Sequence, residues 1–284
     1  MRIGIITSGG DAPGMNAAIR GITRCALDQG VEVVGIHEGW QGVVDGGDKF
    51  EPFNWRSVGG ILQLGGTCLG TARSEAFRTV AGRRQGARNL VQHGVDGLVV
   101  IGGDGSLTGA LLLYEEWADR LKALAGEGLI PPEKAENPQP FRIVGLPGSI
   151  DNDQFGTDMS IGADTALNTI VDAVDRLKST ADSHQRTFVV EVMGRRCGYL
   201  ALMGAVATGS DWVLIPEEEM DARWHYRMVE ALRAGRDAGR RHDVIIFAEG
   251  ARHSDGLPIR AETITEILKN RMGAEARVTV LGHV

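Results

Sequence analysis

Eight short apolar runs, rich in β-branched residues and bounded by glycine, proline or polar residues, punctuate the chain at positions 3–6, 32–36, 97–101, 143–146, 188–192, 212–215, 244–248 and 278–281. Runs of this length and composition read as strands buried on both faces. Stretches of helical period separate several of them. Leu167, Ile170, Val171, Val174 and Leu177 form one stripe, Trp224, Met228 and Leu232 mark a second, and Ile264, Ile267, Leu268 and Met272 make a third that Gly273 closes. Buried strands alternating with amphipathic helices need a parallel sheet covered on both sides, so the expected class is α/β, with parallel-rich sheets and helices on both faces.

The length of 284 residues suits one large or two closely joined domains, and a chain 43% hydrophobic and 24% charged is not a disordered one. Glycine is the outlier. Its 40 residues show no collagen period and no serine-rich linker, so they belong in turns that need their freedom. A net charge of -7, a pI near 5.5 and 5% aromatics argue against a base-stacking nucleic-acid groove or a surface that seeks anionic membranes. Cys25, Cys68 and Cys197 are odd in number and unpatterned, which disfavours a disulfide framework or a paired-cysteine metal knuckle and suits a reducing cytoplasm. They are expected to pack as small apolar residues. The first strand meets glycine at once, which leaves no signal-peptide core, and no stretch approaches the ~18 apolar residues of a membrane span. The expected location is cytoplasmic. Segment 121–141, with Pro131, Pro132, Pro138 and Pro140, reads as an extended surface insertion.

In α/β sheets ligands bind beyond the carboxyl ends of the strands, so the residues after each run carry the chemistry. The first run leads into Thr7-Ser8-Gly9-Gly10-Asp11-Ala12-Pro13-Gly14-Met15-Asn16, and the third into Gly102-Gly103-Asp104-Gly105-Ser106. Both are glycine turns feeding helices, the arrangement that lets backbone amides and a helix N-terminus reach phosphate oxygens. Neither is a P-loop, since the Lys-Ser/Thr ending is missing, and Thr108 stands where the second would need its last dinucleotide-motif glycine. A plain tight turn is the competing reading. After the fourth run, Pro147-Gly148-Ser149-Ile150-Asp151-Asn152-Asp153 offers two carboxylates two residues apart, suited to a base for a hydroxyl and a helper of Mg²⁺, or equally to a solvated Asx turn. Later runs end in Glu191-Val192-Met193-Gly194-Arg195-Arg196-Cys197-Gly198 and in Glu249-Gly250. Arginine at a strand end serves phosphate recognition or forms a surface ion pair. Arg73, Arg186 and Arg277 are further candidates for anion contacts, or else solvated charges. His184 and His283 have no second ligand at zinc spacing.

Taken together, in this order and spacing and over essentially the whole chain, these strings resemble the ATP-dependent 6-phosphofructokinase family. Ser149 in a threonine position, the proline-rich insertion and the run 102–110 are similar to its eukaryotic-type branch. The resemblance implies a two-lobed fold, with residues 1–161 as nucleotide lobe and 162–284 as sugar-phosphate lobe. It implies ATP-dependent phosphorylation of fructose 6-phosphate at the 1-hydroxyl. Asp151 is then the base, Ser149 and Arg195 contact the transferring phosphoryl group, and Asp104 carries Mg²⁺ with Asp153 nearby on the substrate side. Gly10, Arg73, Gly105, Ser106 and Gly109 line ATP; Met193, Gly194, Glu249 and His283 hold the sugar. Arg186 and Arg277 reach the 6-phosphate from a neighbouring subunit, which implies a homotetramer with shared sites.

Relatives in the resemblance continue past Gly-His-Val/Ile with Gln-Arg-Gly-Gly and a segment that returns to the nucleotide lobe, whereas this sequence stops at Gly282-His283-Val284. The expectation is therefore a first lobe short of its last elements and of one phosphate-binding arginine, and a chain that turns over poorly alone. Two rival functions follow. A pyrophosphate-dependent enzyme of the family has Asp at the place of Gly105 and Lys at that of Gly148, and a non-catalytic metabolite-sensing subunit loses the base; neither mark is present. Arg20 and Arg24, four apart on the first helix, form either a solvated face or, by resemblance, an effector site for phosphorylated metabolites.

Overall fold

The computed structural model describes residues 1–136 and 141–284, so Pro138 and Pro140 lie outside the described residues. Each of the eight runs falls on a strand. The chain divides into two compact units, Met1–Ser149 with Ser160–Gly162, and Ile150–Met159 with Ala163–Val284. Residues 150–159, read from the sequence as part of the first lobe, cluster with the second unit because Ile150 packs into that unit's core.

The first unit carries β1 (Arg2–Ser8), α1 (Met15–Asp28), β2 (Glu32–Ile36), α2 (Gly39–Asp45), β3 (Phe50–Phe53), α3 (Glu75–Arg78), α4 (Val80–Gln92), β4 (Gly97–Gly102), α5 (Asp104–Gly126), α6 (Glu133–Glu136), β5 (Arg142–Ser149) and β6 (Ile161–Gly162). Its sheet runs β3-β2-β1-β4-β5-β6, parallel except for β3. Alternation along the buried strands feeds two faces. Ile6, Ile36, Leu98 and Val100 join Leu90, Leu113 and Trp117 from α4 and α5, while Ile101 points the other way, with Met15 of α1. The edge strand β3 escapes sequence reading because it is four residues long and holds Pro52, which only an edge tolerates.

Segment 121–141 is not simply an extended insertion. Leu121 and Leu124 continue the stripe of α5 and are buried, Ile130 is buried beside them, and Phe141 stacks on Trp117 at 4.0 Å between ring centroids. The helical period of α5 runs into the segment before its prolines begin: the helix ends at Gly126, five residues before Pro131.

The second unit holds α7 (Ala163–His184), β7 (Thr187–Val192), α8 (Tyr199–Thr208), β8 (Trp212–Leu214), α9 (Trp224–Asp237), β9 (Asp243–Ala248), α10 (Ala261–Met272) and β10 (Ala276–Val280). Its sheet, β10-β7-β9-β8, is parallel throughout. Val189, Ile245 and Phe247 pack on Trp224, Met228 and Leu232 of α9 and on Ile264 and Leu268 of α10. Val190, Val192, Val244 and Ile246 face Ile170 and Val174 of α7 and Leu200 and Ala201 of α8. Two covered faces explain why β9 is buried at every position and reads as an unbroken apolar run. Gly273, at φ 64, ends α10 as the stripe predicts. Among the described residues no helix is long and apolar enough to cross a membrane.

Candidate active site

Strand order locates the candidate site of the first unit. From β1 the sheet of the first unit grows outward through β2, and from the adjacent β4 it grows the opposite way through β5. The carboxyl ends of β1 and β4 thus flank a topological switch point, where doubly wound sheets bind ligands. Both glycine turns emerge there. Gly102 is obligatory, because a Cβ on it would collide with the Ser8 carbonyl and press on Ser106. Gly9 and Gly14 adopt φ 90 and φ 94. Gly10 and Gly105, by contrast, have nothing within 4 Å of a would-be Cβ, so their backbone is open to a ligand. Asp104 is exposed at the first position of α5, Ser106 is buried one turn in, and Gly109 abuts Trp40 and Phe77.

The loop bearing the exposed Arg73 is stapled beside the first turn. Asn16, 2% exposed on α1, donates from Nδ2 to the carbonyls of Leu64 (3.0 Å) and Gly65 (3.2 Å) and accepts from the Cys68 amide at 2.7 Å. Thr7 Oγ1 lies 2.7 Å from Thr67 Oγ1 and donates to Gly70, and Thr71 Oγ1 donates to the Gly9 carbonyl at 2.6 Å. Trp40 Nε1 donates to the Ser106 carbonyl at 3.2 Å while its ring stacks on Phe77. Sequence reading assigned no role to Asn16, Thr7, Thr71 or Trp40. For Thr7 on β1 and Asn16 on α1 the available signal is a polar residue among apolar ones on a buried element face; Thr71 and Trp40 carry no such mark.

In the second unit the loops after β7 and β9 meet. The Gly250 amide donates to the Gly194 carbonyl at 3.1 Å and the Glu249 amide to that of Val192 at 2.9 Å. Gly194 itself takes φ 137, with Met193 half-buried before it and Arg195 exposed after it. Glu217, unmarked in the sequence reading, accepts the Gly198 amide with both carboxylate oxygens, at 2.7 and 2.9 Å, and so fixes the far end of the Arg195 loop. Asp151 belongs to this cluster. Burial pushes its carboxyl above the usual aspartate range, the charges of Asp153 and Glu249 push it further, and the Arg195 guanidinium opposes them. Glu191 is raised likewise, by burial first and then by Glu249 and Glu262. Leu281, two residues before the exposed His283, donates its amide to the Glu191 carbonyl, so the end of β10 joins the same edge.

Arg186 and Arg277 stand elsewhere in that unit. They lie at the starts of the neighbouring parallel strands β7 and β10 and share Glu275, at 3.6 and 2.6 Å. The length of β7 separates them from Arg195, about 15–20 Å at 3.3 Å per residue. Ser149 closes β5 in the first unit, where its carbonyl accepts from Ser160 Oγ at 2.8 Å.

Cys25 and Cys68 are exposed rather than packed as small apolar residues; Cys197 is half-buried, and burial raises its thiol. Arg20 and Arg24 are both engaged within the first unit, Arg20 through the Val58 carbonyl at 2.6 Å and Arg24 over the Trp55 ring, 5.4 Å from its centroid. Among the described residues no group of three or more His, Cys, Asp or Glu side chains is placed to hold a metal ion. Asp104 offers a single exposed carboxylate beside the open Gly105 backbone. Mg²⁺ takes one or two protein carboxylates and completes its shell with phosphates and water, so this geometry fits a cation that arrives with a nucleotide.

Open glycine turns stand at the switch point of the doubly wound first unit, and carboxylates and an arginine gather at the strand ends of the parallel second unit; both are α/β units. The chain belongs to the phosphofructokinase family, whose model, described as "Phosphofructokinase", matches residues 2–284. It is 52% identical over 282 residues to the liver-type ATP-dependent 6-phosphofructokinase of Pongo abelii, covering 99% of this chain and 36% of that protein. It resembles the structure of phosphofructokinase from Saccharomyces cerevisiae with a TM-score of 0.94 and 46% identity, over 99% of this chain and 38% of that one. The pyrophosphate-dependent phosphofructokinase of Marinobacter aquaeolei shares the fold, with a TM-score of 0.77 at 20% identity over 98% of this chain and 67% of that one. The chain thus spans about a third of the length of the curated relatives it matches.

Proposed function

We propose that this protein transfers the γ-phosphoryl group of ATP to the 1-hydroxyl of fructose 6-phosphate, giving fructose 1,6-bisphosphate. The observation that carries the reading is the half-buried Asp151, raised in basicity among Asp153 and Glu249 and faced by the Arg195 cation. A carboxylate in that setting takes a hydroxyl proton as the oxygen attacks, and its neighbouring cation offsets the charge that develops. Arg195 and Ser149 contact the phosphoryl group, and Met193, Gly194, Glu249 and His283 hold the sugar, with Asp153 beside them. Gly10, Arg73, Gly105, Ser106 and Gly109 form the nucleotide cradle, to which the helix N-terminus of α5 adds its positive end. Asp104 would hold Mg²⁺, which when bound neutralises charge on the nucleotide phosphates.

Arg186 and Arg277 lie at the opposite end of their sheet from Arg195, which supports the reading that they serve the 6-phosphate of a neighbouring subunit within a homotetramer. ATP is the donor in this reading. Gly105 leaves its surroundings open to a nucleotide, and a side chain at Gly148 would meet Met15 Cε at 2.8 Å and the Gly102 amide at 3.2 Å, so Gly148 is not built for the larger residue of pyrophosphate enzymes. A cytoplasmic setting goes with this activity. The test is an aldolase-coupled assay of the full-length protein with fructose 6-phosphate and either donor. Turnover with ATP supports the reading; turnover with pyrophosphate alone overturns the donor, and turnover with neither overturns the function.

A further inference from the structure

Asn152 separates the two carboxylates of the catalytic loop and adopts φ 54, one of three non-glycine residues with positive φ among the described residues. The loop it belongs to is closed at its neck. Gly148 pairs with Ile161 and Ser149 with Gly162, and Ser160 Oγ donates to the Ser149 carbonyl at 2.8 Å, so residues 150–159 leave and return between two paired strands. Inside that closed neck, the Asn152 backbone sets the angle between the peptide planes that carry Asp151 and Asp153. The Asp153 charge is close enough to act electrostatically on the Asp151 carboxyl.

Left-handed backbone is costly for most L-residues and cheap for glycine and, to a lesser degree, asparagine and aspartate. Aspartate at this point would put a third carboxylate between two. Glycine would leave the loop free to sample other shapes. Asparagine meets both demands, and its Nδ2 also reaches the Asp158 carbonyl at 3.4 Å, across the same loop. We infer that Asn152 is a positioning residue, whose tolerance of left-handed backbone holds Asp151 where it acts as base. The inference rests on the role proposed for Asp151 and adds a residue to it.

The test compares Asn152→Gly, Asn152→Ala and Asn152→Val in the full-length protein. Alanine is expected to lower kcat about 5- to 30-fold, the fall in population that a left-handed non-glycine residue costs, and valine more. Glycine should restore kcat to within about threefold of wild type, since it keeps the conformation. KM for ATP, bound by other residues, should stay unchanged in all three, and thermal melts report whether each variant is folded; if Asn152→Ala aggregates, Asn152→Ser takes its place. An alanine variant as active as wild type overturns the inference, and so does a glycine variant as impaired as alanine, which would assign the role to the amide. A wild-type protein that transfers no phosphate at all overturns the function instead, so the two failures are distinguishable.

Discussion

The amide of Gly250 donates a hydrogen bond to the carbonyl of Gly194 at 3.1 Å, tying together the loops that follow two paired parallel strands. A Cβ at Gly250 would collide with the backbone carbonyl of Arg195, which has no flexible end to swing aside. Gly250→Ala therefore has to move the backbone that presents Arg195. Displacements of about 1 Å in a positioned group cost on the order of 10²-fold in rate, so kcat should fall by about that factor with KM for ATP little changed. Steady-state kinetics on the two proteins check this, and an unaffected kcat would separate Arg195 from the chemistry.

Asp151→Asn should lower kcat by at least about 10²-fold, the lower range for loss of a general base, with small changes in both KM values. The pH dependence adds a second readout. A raised carboxyl is protonated at higher pH than an ordinary aspartate, so the acid limb of kcat/KM should lie above the usual value of 3.8. Because the Asp153 charge is one of the causes, Asp153→Asn should move that limb to lower pH, whatever it does to the maximum rate. A limb that moves upward contradicts the assignment.

Glu116 on α5 binds Arg83 through two bonds of 2.8 Å and Arg120 at 3.0 Å, and these hold its carboxyl down to about 2 from 4.5. A depressed acid stabilises the fold above its unfolded value and loses that contribution as pH falls toward the folded one. The difference in thermal midpoint between wild type and Glu116→Gln should therefore be full near neutrality and shrink between pH 4.5 and about 2. A difference independent of pH would mean that the arginines act through packing alone.

The legibility of the chain follows burial. Strands such as β9, covered on both faces, announce themselves as apolar runs, and the turns after them are dense in glycine because backbones approach there, as Gly102 does to Ser8. The same logic fails for β3, whose alternation is too short to register, and for segment 121–141, where four prolines outweighed the stripe that buries Leu121 and Leu124. Strand-end motifs made Asp151, Arg195 and Glu249 candidates. What the sequence could not deliver was the staple: Asn16 and Glu217 act through backbone amides and carbonyls 48 to 52 and 19 residues away, and such partners leave no local pattern.

Asp243 has no exposed surface and relies on Arg236, at 2.6 Å, and on Thr187, at 2.9 Å. Removing a partner from a buried charge is far more damaging than breaking a surface pair. Arg236→Met should cost about 3–5 kcal/mol in a urea melt. A loss of under about 1 kcal/mol would place the pair with exposed ones.

The central claim is that Asp151 directs the γ-phosphoryl group of ATP onto the sugar. The direct measurement incubates the full-length protein with fructose 6-phosphate and ATP radiolabelled at its γ-phosphate, then resolves the sugar phosphates. The account predicts label in fructose 1,6-bisphosphate with the wild type, and at least about 10²-fold slower transfer with Asp151→Asn. Label that stays in ATP and inorganic phosphate, or that reaches the sugar equally fast in both proteins, would contradict it.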